Sequence, residues 1–98
     1  MHNGIDLKAY YEPVYAFADG IVKTAAYGKK EGNYIVLLHD EMESIYCHLS
    51  ELYCRKGQVI RGGDCIGISG NSGNSTGPHL HFGIKIKNVS KDAKLISR

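Results

Sequence analysis

Residues 33–49 read NYIVLLHDEMESIYCHL and consist of two short runs rich in Val, Ile, Leu and Tyr around a polar turn at Asp40. Short runs of β-branched and aromatic residues that are bounded by turn residues are typical of strands. We therefore predict one strand over about 33–39 and a second over about 43–49.

The second of these strands carries a histidine whose direction matters for the chemistry. Side chains alternate between the two faces of a strand. Strict alternation places His48 on the same face as Tyr46. It turns Ile45 and Cys47 towards the core or a partner sheet.

The rest of the chain repeats this pattern of short apolar runs and turns. Twelve glycines and two prolines help to divide it, and no stretch has a long 3.6-residue period. Further strands are predicted at 13–18, 20–26, 58–61, 64–69 and 80–87. One helical turn is expected over 49–54. Evenly spaced short strands favour an all-β fold, namely a small and mainly antiparallel two-sheet sandwich or open barrel.

Composition argues against several classes of protein. A chain of 98 residues has the length of one domain, residues 1–98. Its net charge of +2 is small and no basic stripe alternates with aromatics, which argues against nucleic-acid binding. No apolar run approaches the roughly 20 residues that cross a bilayer, so this domain is not expected to insert into a membrane. We expect a monomer.

The start of the chain points to a larger parent protein. His2 belongs to a motif described below, and a functional side chain beside a chain terminus would be poorly held. We therefore expect a domain excised from a longer chain, with an export or anchoring segment upstream.

The three cysteines, Cys47, Cys54 and Cys65, are an odd number, and none forms a Cys-x-x-Cys pair. This argues against a zinc knuckle and against a thioredoxin-like redox site. We expect three small, buried hydrophobic side chains, the usual role of free cysteine.

Two histidines, His79 and His81, stand two residues apart in a predicted strand and therefore share a face. Pro78 fixes the backbone just before them, and the small residues of 69–77 form a loop that lets backbone approach a ligand. Alone, the pair fits either a metal site or a solvated strand face. If the two strands are neighbours, His48 lines the same pocket.

Two further candidates, His2 and Asp6, lie near the start of the chain. Gly4 between them argues against a helix face and for a turn or an extended segment, and alone they indicate only a surface turn near a terminus. Together with the other candidates they complete a set of four imidazoles and one carboxylate. A catalytic zinc site needs three nitrogen or oxygen ligands with one position open, and groups that move protons. The set covers both needs. His39, beside acidic residues, is expected to be an exposed strand end without a role.

Three motifs in this order resemble the lysostaphin-like zinc metalloendopeptidases, the LytM domain family. They are HNGID at 2–6, HLS at 48–50 and STGPHLHF at 75–82. The likeness extends from residue 2 to about residue 86 and includes PVYAFADGIV at 13–22, GNYIV at 32–36 and KGQVI at 56–60. It implies a small, mainly antiparallel β fold with a zinc ion at the floor of a narrow groove.

The resemblance also implies roles for individual residues. The zinc ligands would be His2, Asp6 and His81, while His48 and His79 would flank the open coordination position. Zinc held in this way acidifies bound water and polarises a peptide carbonyl. The two flanking histidines would take the proton of the water and stabilise the oxyanion or the leaving amine. Which histidine has which role is left open.

A substrate is implied as well. Most members of the family cleave peptide cross-links or stem peptides of bacterial peptidoglycan. Peptidoglycan peptides are thus the expected partner, Zn²⁺ the cofactor, and the periplasm, cell wall or medium the location. One position and one segment depart from the family pattern. Gly83 stands where Glu is frequent, which predicts a change in the groups around the metal ligands or in local packing, not the loss of a ligand. Residues 8–12 are expected to change one groove wall.

Two other functions compete with the enzyme. A non-catalytic module on the same fold would bind cell wall or activate other hydrolases, as some relatives that have lost their ligands do. A carrier or phosphotransfer domain is the third hypothesis, because VIRGGDCIG at 59–67 is similar to a turn in biotinyl and lipoyl carriers. The carrier lysine is not evident, and a phosphotransfer site does not need the pair His2 and Asp6.

Overall fold

The computed structural model describes residues 3–8, 11–72 and 79–86, with residues 3–8 and 79 described by their backbone alone. This part of the chain forms eight strands: β1 (Asn3–Lys8), β2 (Pro13–Tyr15), β3 (Gly20–Gly28), β4 (Gly32–Leu38), β5 (Met42–Leu52), β6 (Val59–Ile60), β7 (Cys65–Ser69) and β8 (His79–Ile86). The described ranges contain no helix, and hence none that could cross a membrane. The all-β prediction is confirmed.

All the described strand pairs are antiparallel and belong to one connected sheet. Its order is β1-β8-β5-β4-β3-β6, and β7 joins it by pairing with both β5 and β2. Strand β5 pairs with β4 and β8 along its first part and with β7 along its second part. The sheet therefore curls over on itself, which is the open-barrel form of the predicted fold.

One local prediction is wrong and one strand is missed. The helical turn expected over 49–54 does not form, because Leu49, Glu51 and Leu52 continue β5 and pair with β7. The segment 3–8, where the sequence predicts only a turn or an extended segment, pairs along its whole length with β8. Its Gly, Asn and Asp residues are poor strand formers, so this strand depends on its neighbour.

The core lies inside the curl and draws on six of the strands. It consists of Val14, Ala16, Val22, Ile35, Leu37, Tyr46, Leu49, Ile60 and Ile66. Leu80 and Phe82 of β8 pack against it from the side. Strand β8, which also carries His81, is thus fixed to the rest of the fold by its inward-facing residues.

A chain of hydrogen bonds crosses the core at Tyr46, which is 1% exposed. The Tyr46 hydroxyl accepts a hydrogen bond from Phe17 N at 2.9 Å and lies 2.9 Å from Ser44 Oγ. Ser44 Oγ lies 2.8 Å from Nε2 of His39. Burial raises the pKa of the Tyr46 hydroxyl, and either hydroxyl can be the donor in the contact between Tyr46 and Ser44. The chain ties β5 to the segments that follow β2 and β4.

Tyr46→Phe tests this chain, because it keeps the ring and removes the hydroxyl. Phe17 N–H and Ser44 then lose a buried partner, at an expected cost of about 1–3 kcal/mol. This should lower the Tm in circular dichroism by several degrees in a domain of this size. Tyr27→Phe, at a residue that is 64% exposed, is the control and should stay within about 0.5 kcal/mol of the wild type. Equal Tm values for the two variants would contradict the network.

Candidate active site

The middle of β8 brings residues of three strands into one row. His81 lies directly opposite Asp6 of β1 on one side and opposite Cys47 of β5 on the other. Directly opposed residues of an antiparallel pair share a face of the sheet, with Cβ atoms about 4.5–5.5 Å apart. The fold therefore brings Asp6 and His81 together from opposite ends of the chain.

Phe82 shows which face this row occupies. Its ring packs against Tyr46, with 5.3 Å between the ring centroids, and borders the core. Because neighbours in a strand point to opposite faces, His81 lies on the face away from the core, where it is half-buried. We call this surface of β1, β8 and β5 the outer face.

The predicted phase of β5 is wrong. Tyr46 lies in the core, whereas Cys47 lies in the outer row beside His81. Ile45, which the sequence predicts to face the core or a partner sheet, is only half-buried. Strict alternation would turn His48 inward with Tyr46, but the side chain of His48 does not point inward.

A β-bulge at Cys47 and His48 explains the change at His48. Tyr46 and Leu49 are three residues apart and both lie in the core, which a regular strand does not allow. One residue of β4 lies between their partners, while β5 has two residues there, Cys47 and His48. His48 has φ +62°, a left-handed conformation that is uncommon outside glycine. A bulge of this kind redirects a side chain.

The bulge brings His48 to His81. The two rings lie 6.4 Å apart between centroids and meet edge to face at 84°. The main-chain N–H of His48 donates to Glu31 O at 2.7 Å, in the turn between β3 and β4. Two of the histidines that the sequence singles out therefore meet on the outer face.

A second hydrogen bond fixes the orientation of the His48 ring. Its Nδ1 lies 2.7 Å from the carbonyl oxygen of Ser72. Because a carbonyl oxygen only accepts, Nδ1 carries a hydrogen and donates it. In the neutral ring the lone pair is then on Nε2, on the side of the ring away from Ser72.

The chain after β7 reaches His48 because Gly32 leaves room for it. Gly32 has φ +69°, and a Cβ there would overlap the backbone and side chain of Ser72. The small residues of 69–77 predict a close approach of backbone. However, nothing in the sequence pairs that loop with Gly32, so neither Gly32 nor Ser72 is recognisable as a site residue from the sequence.

The other predicted site residues are described in part. His2 lies outside the described residues, and His79 lies opposite Lys8 in the backbone register of β1 and β8. Among the side chains that the structure describes, no group of three His, Cys, Asp or Glu residues is placed to hold a metal ion. Of the three zinc ligands that the resemblance implies, His2, Asp6 and His81, the structure describes the side chain of His81 alone.

One acidic side chain near the outer face is already paired. Glu43 lies opposite Lys85 of β8 and is 6% exposed. Its Oε2 lies 2.6 Å from Nζ of Lys23. Because a buried carboxylate without a partner is costly, this ion pair accounts for Glu43 as a structural residue.

His39 lies in a different part of the molecule. Its Nδ1 donates to Asp19 O at 2.6 Å, its Nε2 lies 2.8 Å from Ser44 Oγ, and its ring packs edge-on against Phe17. It is more than the exposed strand end that the sequence predicts, since both ring nitrogens join the hydrogen-bonded chain that crosses the core.

The three cysteines differ in exposure. Cys47 is buried, Cys54 is half-buried and Cys65 is exposed, and all three are free thiols. The prediction of buried side chains is therefore wrong for Cys65, which lies opposite the exposed Tyr15 at the surface. Burial, and after it the charge of Glu31, raises the pKa of Cys47 to about 11.

Gly83 continues β8 without interruption. It is buried and lies opposite Gly4 of β1 and Ile45 of β5. The next row on the outer face, beside that of His81, therefore consists of Gly4, Gly83 and Ile45. Of these three residues, Ile45 alone has a side chain.

The glycine turn at 59–67 is structural. Gly63 has φ +92°, and Asp64 Oδ2 accepts a hydrogen bond from Arg61 N at 3.0 Å. Gly62 N donates to Asp19 Oδ1 at 2.7 Å. These contacts account for the glycines and the aspartate of the turn without any carrier role.

Comparison with known proteins assigns the chain to a family. The model of Peptidase family M23 matches residues 1–93. Peptidoglycan DD-endopeptidase ShyA from Vibrio cholerae is 40% identical over 88 residues, which are 88% of this chain and 20% of the relative. The chain spans about a fifth of the length of the curated relatives it matches.

Solved structures agree with this assignment. A zinc-containing peptidase from Vibrio cholerae superimposes with a TM-score of 0.84 at 37% identity, over 89% of this chain and 28% of that one. The catalytic domain of lysostaphin, an antimicrobial peptidase from Staphylococcus simulans, superimposes with a TM-score of 0.83 at 30% identity, over 100% of this chain and 80% of that one. The curled sheet is thus that of the lysostaphin-type peptidases. The chain belongs to Peptidase family M23.

Gly32→Ala and Gly57→Ala separate backbone strain from crowding at the site. Both glycines have positive φ, but a Cβ at Gly57 meets nothing within 4 Å, whereas one at Gly32 overlaps Ser72. We expect Gly57→Ala to destabilise the fold by about 1–2 kcal/mol. Gly32→Ala should cost at least about 1 kcal/mol more in urea unfolding, because it also overpacks the contact. Equal losses would contradict the close approach of Ser72.

Alkylation rates test the burial of the outer row. The thiolate is the reactive form, and burial protects it. At about pH 8, iodoacetamide should modify Cys65 first, Cys54 later and Cys47 last, as followed by peptide mass spectrometry. In denaturing urea the three rates should become similar. Folded protein in which Cys47 reacts as fast as Cys65 would show that this part of β5 is open to solvent.

Proposed function

We propose that this chain is the catalytic domain of a zinc-dependent endopeptidase that cleaves peptide cross-links or stem peptides of bacterial peptidoglycan. One observation carries the proposal. The His48 and His81 rings lie 6.4 Å apart on the outer face, and Asp6 lies opposite His81 in the register of β1 and β8. A relative at 40% identity that is named a peptidoglycan DD-endopeptidase supports the choice of substrate.

The donor set suits a zinc ion. We infer that His2, Asp6 and His81 hold it, because two imidazoles and one carboxylate are a recurrent catalytic zinc set that leaves a position open. Asp6 and His81 belong to paired strands, and His2 directly precedes the first residue of β1. A solved relative that contains zinc supports the choice of metal. When bound, zinc would supply a Lewis acid that acidifies water and polarises the peptide carbonyl.

His48 is suited to move a proton in this reaction. It donates its Nδ1 hydrogen to Ser72 O, so the neutral ring accepts at Nε2. We assign it the role of general base, which takes the proton of the attacking water at Nε2 and delivers it to the leaving amine. His79, two residues before His81 on β8, would donate a hydrogen bond to the oxyanion.

The setting of the domain follows from its substrate. Peptidoglycan lies outside the cytoplasm, so we infer an extracytoplasmic location. The catalytic domain of lysostaphin matches this chain over its whole length and over 80% of its own. This match supports residues 1–98 as one catalytic unit.

Measurements of zinc content and of peptide cleavage distinguish a zinc ligand from a residue that transfers protons. His81→Ala should lose both the bound zinc and the activity. His48→Ala should keep the zinc and lose about 10²–10⁴-fold in kcat. Zinc is measured by mass spectrometry of dialysed protein, and cleavage by chromatography of cross-linked muropeptides and of a pentaglycine peptide. His39→Gln changes a histidine outside the site and is the matched control, which should keep both properties.

The outcomes also separate the enzyme from its alternative. Wild-type protein that binds one zinc per chain but cleaves neither substrate would count against the enzyme. A non-catalytic module that binds cell wall or activates another hydrolase would then be favoured. Binding to purified sacculi, together with an activity that does not change in His48→Ala, would support that module.

A further inference from the structure

The side chain of Ser72 bridges β4 and β5 beside the bulge. Asn33 and Leu49 are cross-strand partners there. The N–H of Asn33 donates to Ser72 Oγ at 3.0 Å, and Ser72 Oγ donates to Leu49 O at 2.5 Å. Asn33 Nδ2 adds a further hydrogen bond to Leu49 O at 3.0 Å. The Ser72 hydroxyl thus acts as acceptor and donor between two neighbouring strands.

The same residue holds the ring of His48. The main-chain carbonyl of Ser72 accepts the Nδ1 hydrogen at 2.7 Å. Its hydroxyl is held by Asn33 and Leu49, which flank the bulge. The position of the carbonyl is therefore set by the strands that also set the position of His48. Gly32 makes this possible, since any Cβ there would displace Ser72.

We propose that Ser72 is a positioning residue for His48. Its hydroxyl, held between Asn33 and Leu49, fixes the main-chain carbonyl that keeps the hydrogen of His48 on Nδ1 and leaves Nε2 as the proton acceptor. The effect on the tautomer rests on these contacts. The effect on catalysis rests on the proposed function.

The bridge explains why a hydroxyl is needed at this position. One oxygen must donate to Leu49 O and accept from Asn33 N, which serine and threonine can do and alanine cannot. Without the bridge, the carbonyl of Ser72 loses its two anchors. The neutral His48 ring can then place its hydrogen on either nitrogen. Partners that orient metal-ligating histidines typically change metal affinity or activity about 10–100-fold when they are removed, and we expect an effect of the same order for the partner of His48.

The tautomer is measured directly by ¹⁵N NMR of the histidine rings at about pH 8, above the ordinary pKa of histidine. Zinc-loaded protein is used throughout, and His48→Gln identifies the His48 signals. We expect a protonated Nδ1 and an unprotonated Nε2 in the wild type. Ser72→Ala should give a mixture of tautomers and lower kcat about 10–100-fold with little change in KM. Ser72→Thr should restore both.

Ser69→Ala is the matched control. Ser69 is fully buried and its hydroxyl accepts a hydrogen bond from Glu12 N at 2.8 Å, a contact that does not involve Ser72 or His48. This variant should lose stability but keep the tautomer and kcat, because its loss is merely structural.

The results distinguish this proposal from the proposed function. A wild-type His48 with its hydrogen on Nε2 would overturn the positioning role, even if Ser72→Ala did not fold. So would a folded Ser72→Ala that kept the tautomer and kcat of the wild type. Protein that shows the expected tautomers in all variants but cleaves no peptidoglycan would support the positioning of His48 and count against the enzyme.

Discussion

The register of β8 between β1 and β5 is the constraint on which the site depends. A slip of one residue would turn every side chain of β8 to the opposite face and would exchange His81 with Phe82. The Phe82 ring packs against Tyr46 at 5.3 Å and borders the core, so a slip would expose the phenyl ring and bury an imidazole. Apolar packing on the inner face therefore holds His81 opposite Asp6 and Cys47 on the outer face.

The second constraint is local and opposes the regular sheet. His48 has φ +62°, and a non-glycine residue in this region carries a strain of about 1–2 kcal/mol. Hydrogen bonds to Glu31 O and Ser72 O, both at 2.7 Å, hold the residue in this conformation. Such bulges are frequent next to active sites, where they redirect a side chain. Here the strand continues into the core at Leu49.

Most strands of the fold were predictable from the sequence, because they are local. Short runs of β-branched and aromatic residues between turns predict β2 to β8 at nearly their observed positions. Strand β1 was not predictable in this way, since only its pairing with β8 makes it a strand. The phase of β5 was not predictable either. It changes at a bulge whose supporting contacts come from Glu31 and Ser72, which lie far from His48 in sequence.

The candidate site likewise has features that local sequence predicts and features that depend on contacts between distant segments. Motifs identify which histidines to examine, and the resemblance to a metallopeptidase family implies their roles. The sequence predicts that His48 lines the pocket of His79 and His81 on the condition that their strands are neighbours. The structure pairs β5 with β8 and brings the His48 ring to His81, and only the structure shows the residues that hold His48. Gly32, Asn33 and Ser72 come from two distant segments that only the fold brings together.

The central claim is that the outer row forms a zinc centre with Asp6 and His81 as ligands and His48 beside it. A crystal structure of the zinc-loaded protein, with data collected on both sides of the zinc absorption edge, tests it most directly. The account predicts one anomalous peak per chain on the outer face, bonded to Asp6, His81 and His2, with the His48 ring next to the open position. A peak elsewhere, for example on the exposed Cys65, or a zinc-loaded site without Asp6 and His81, would contradict it.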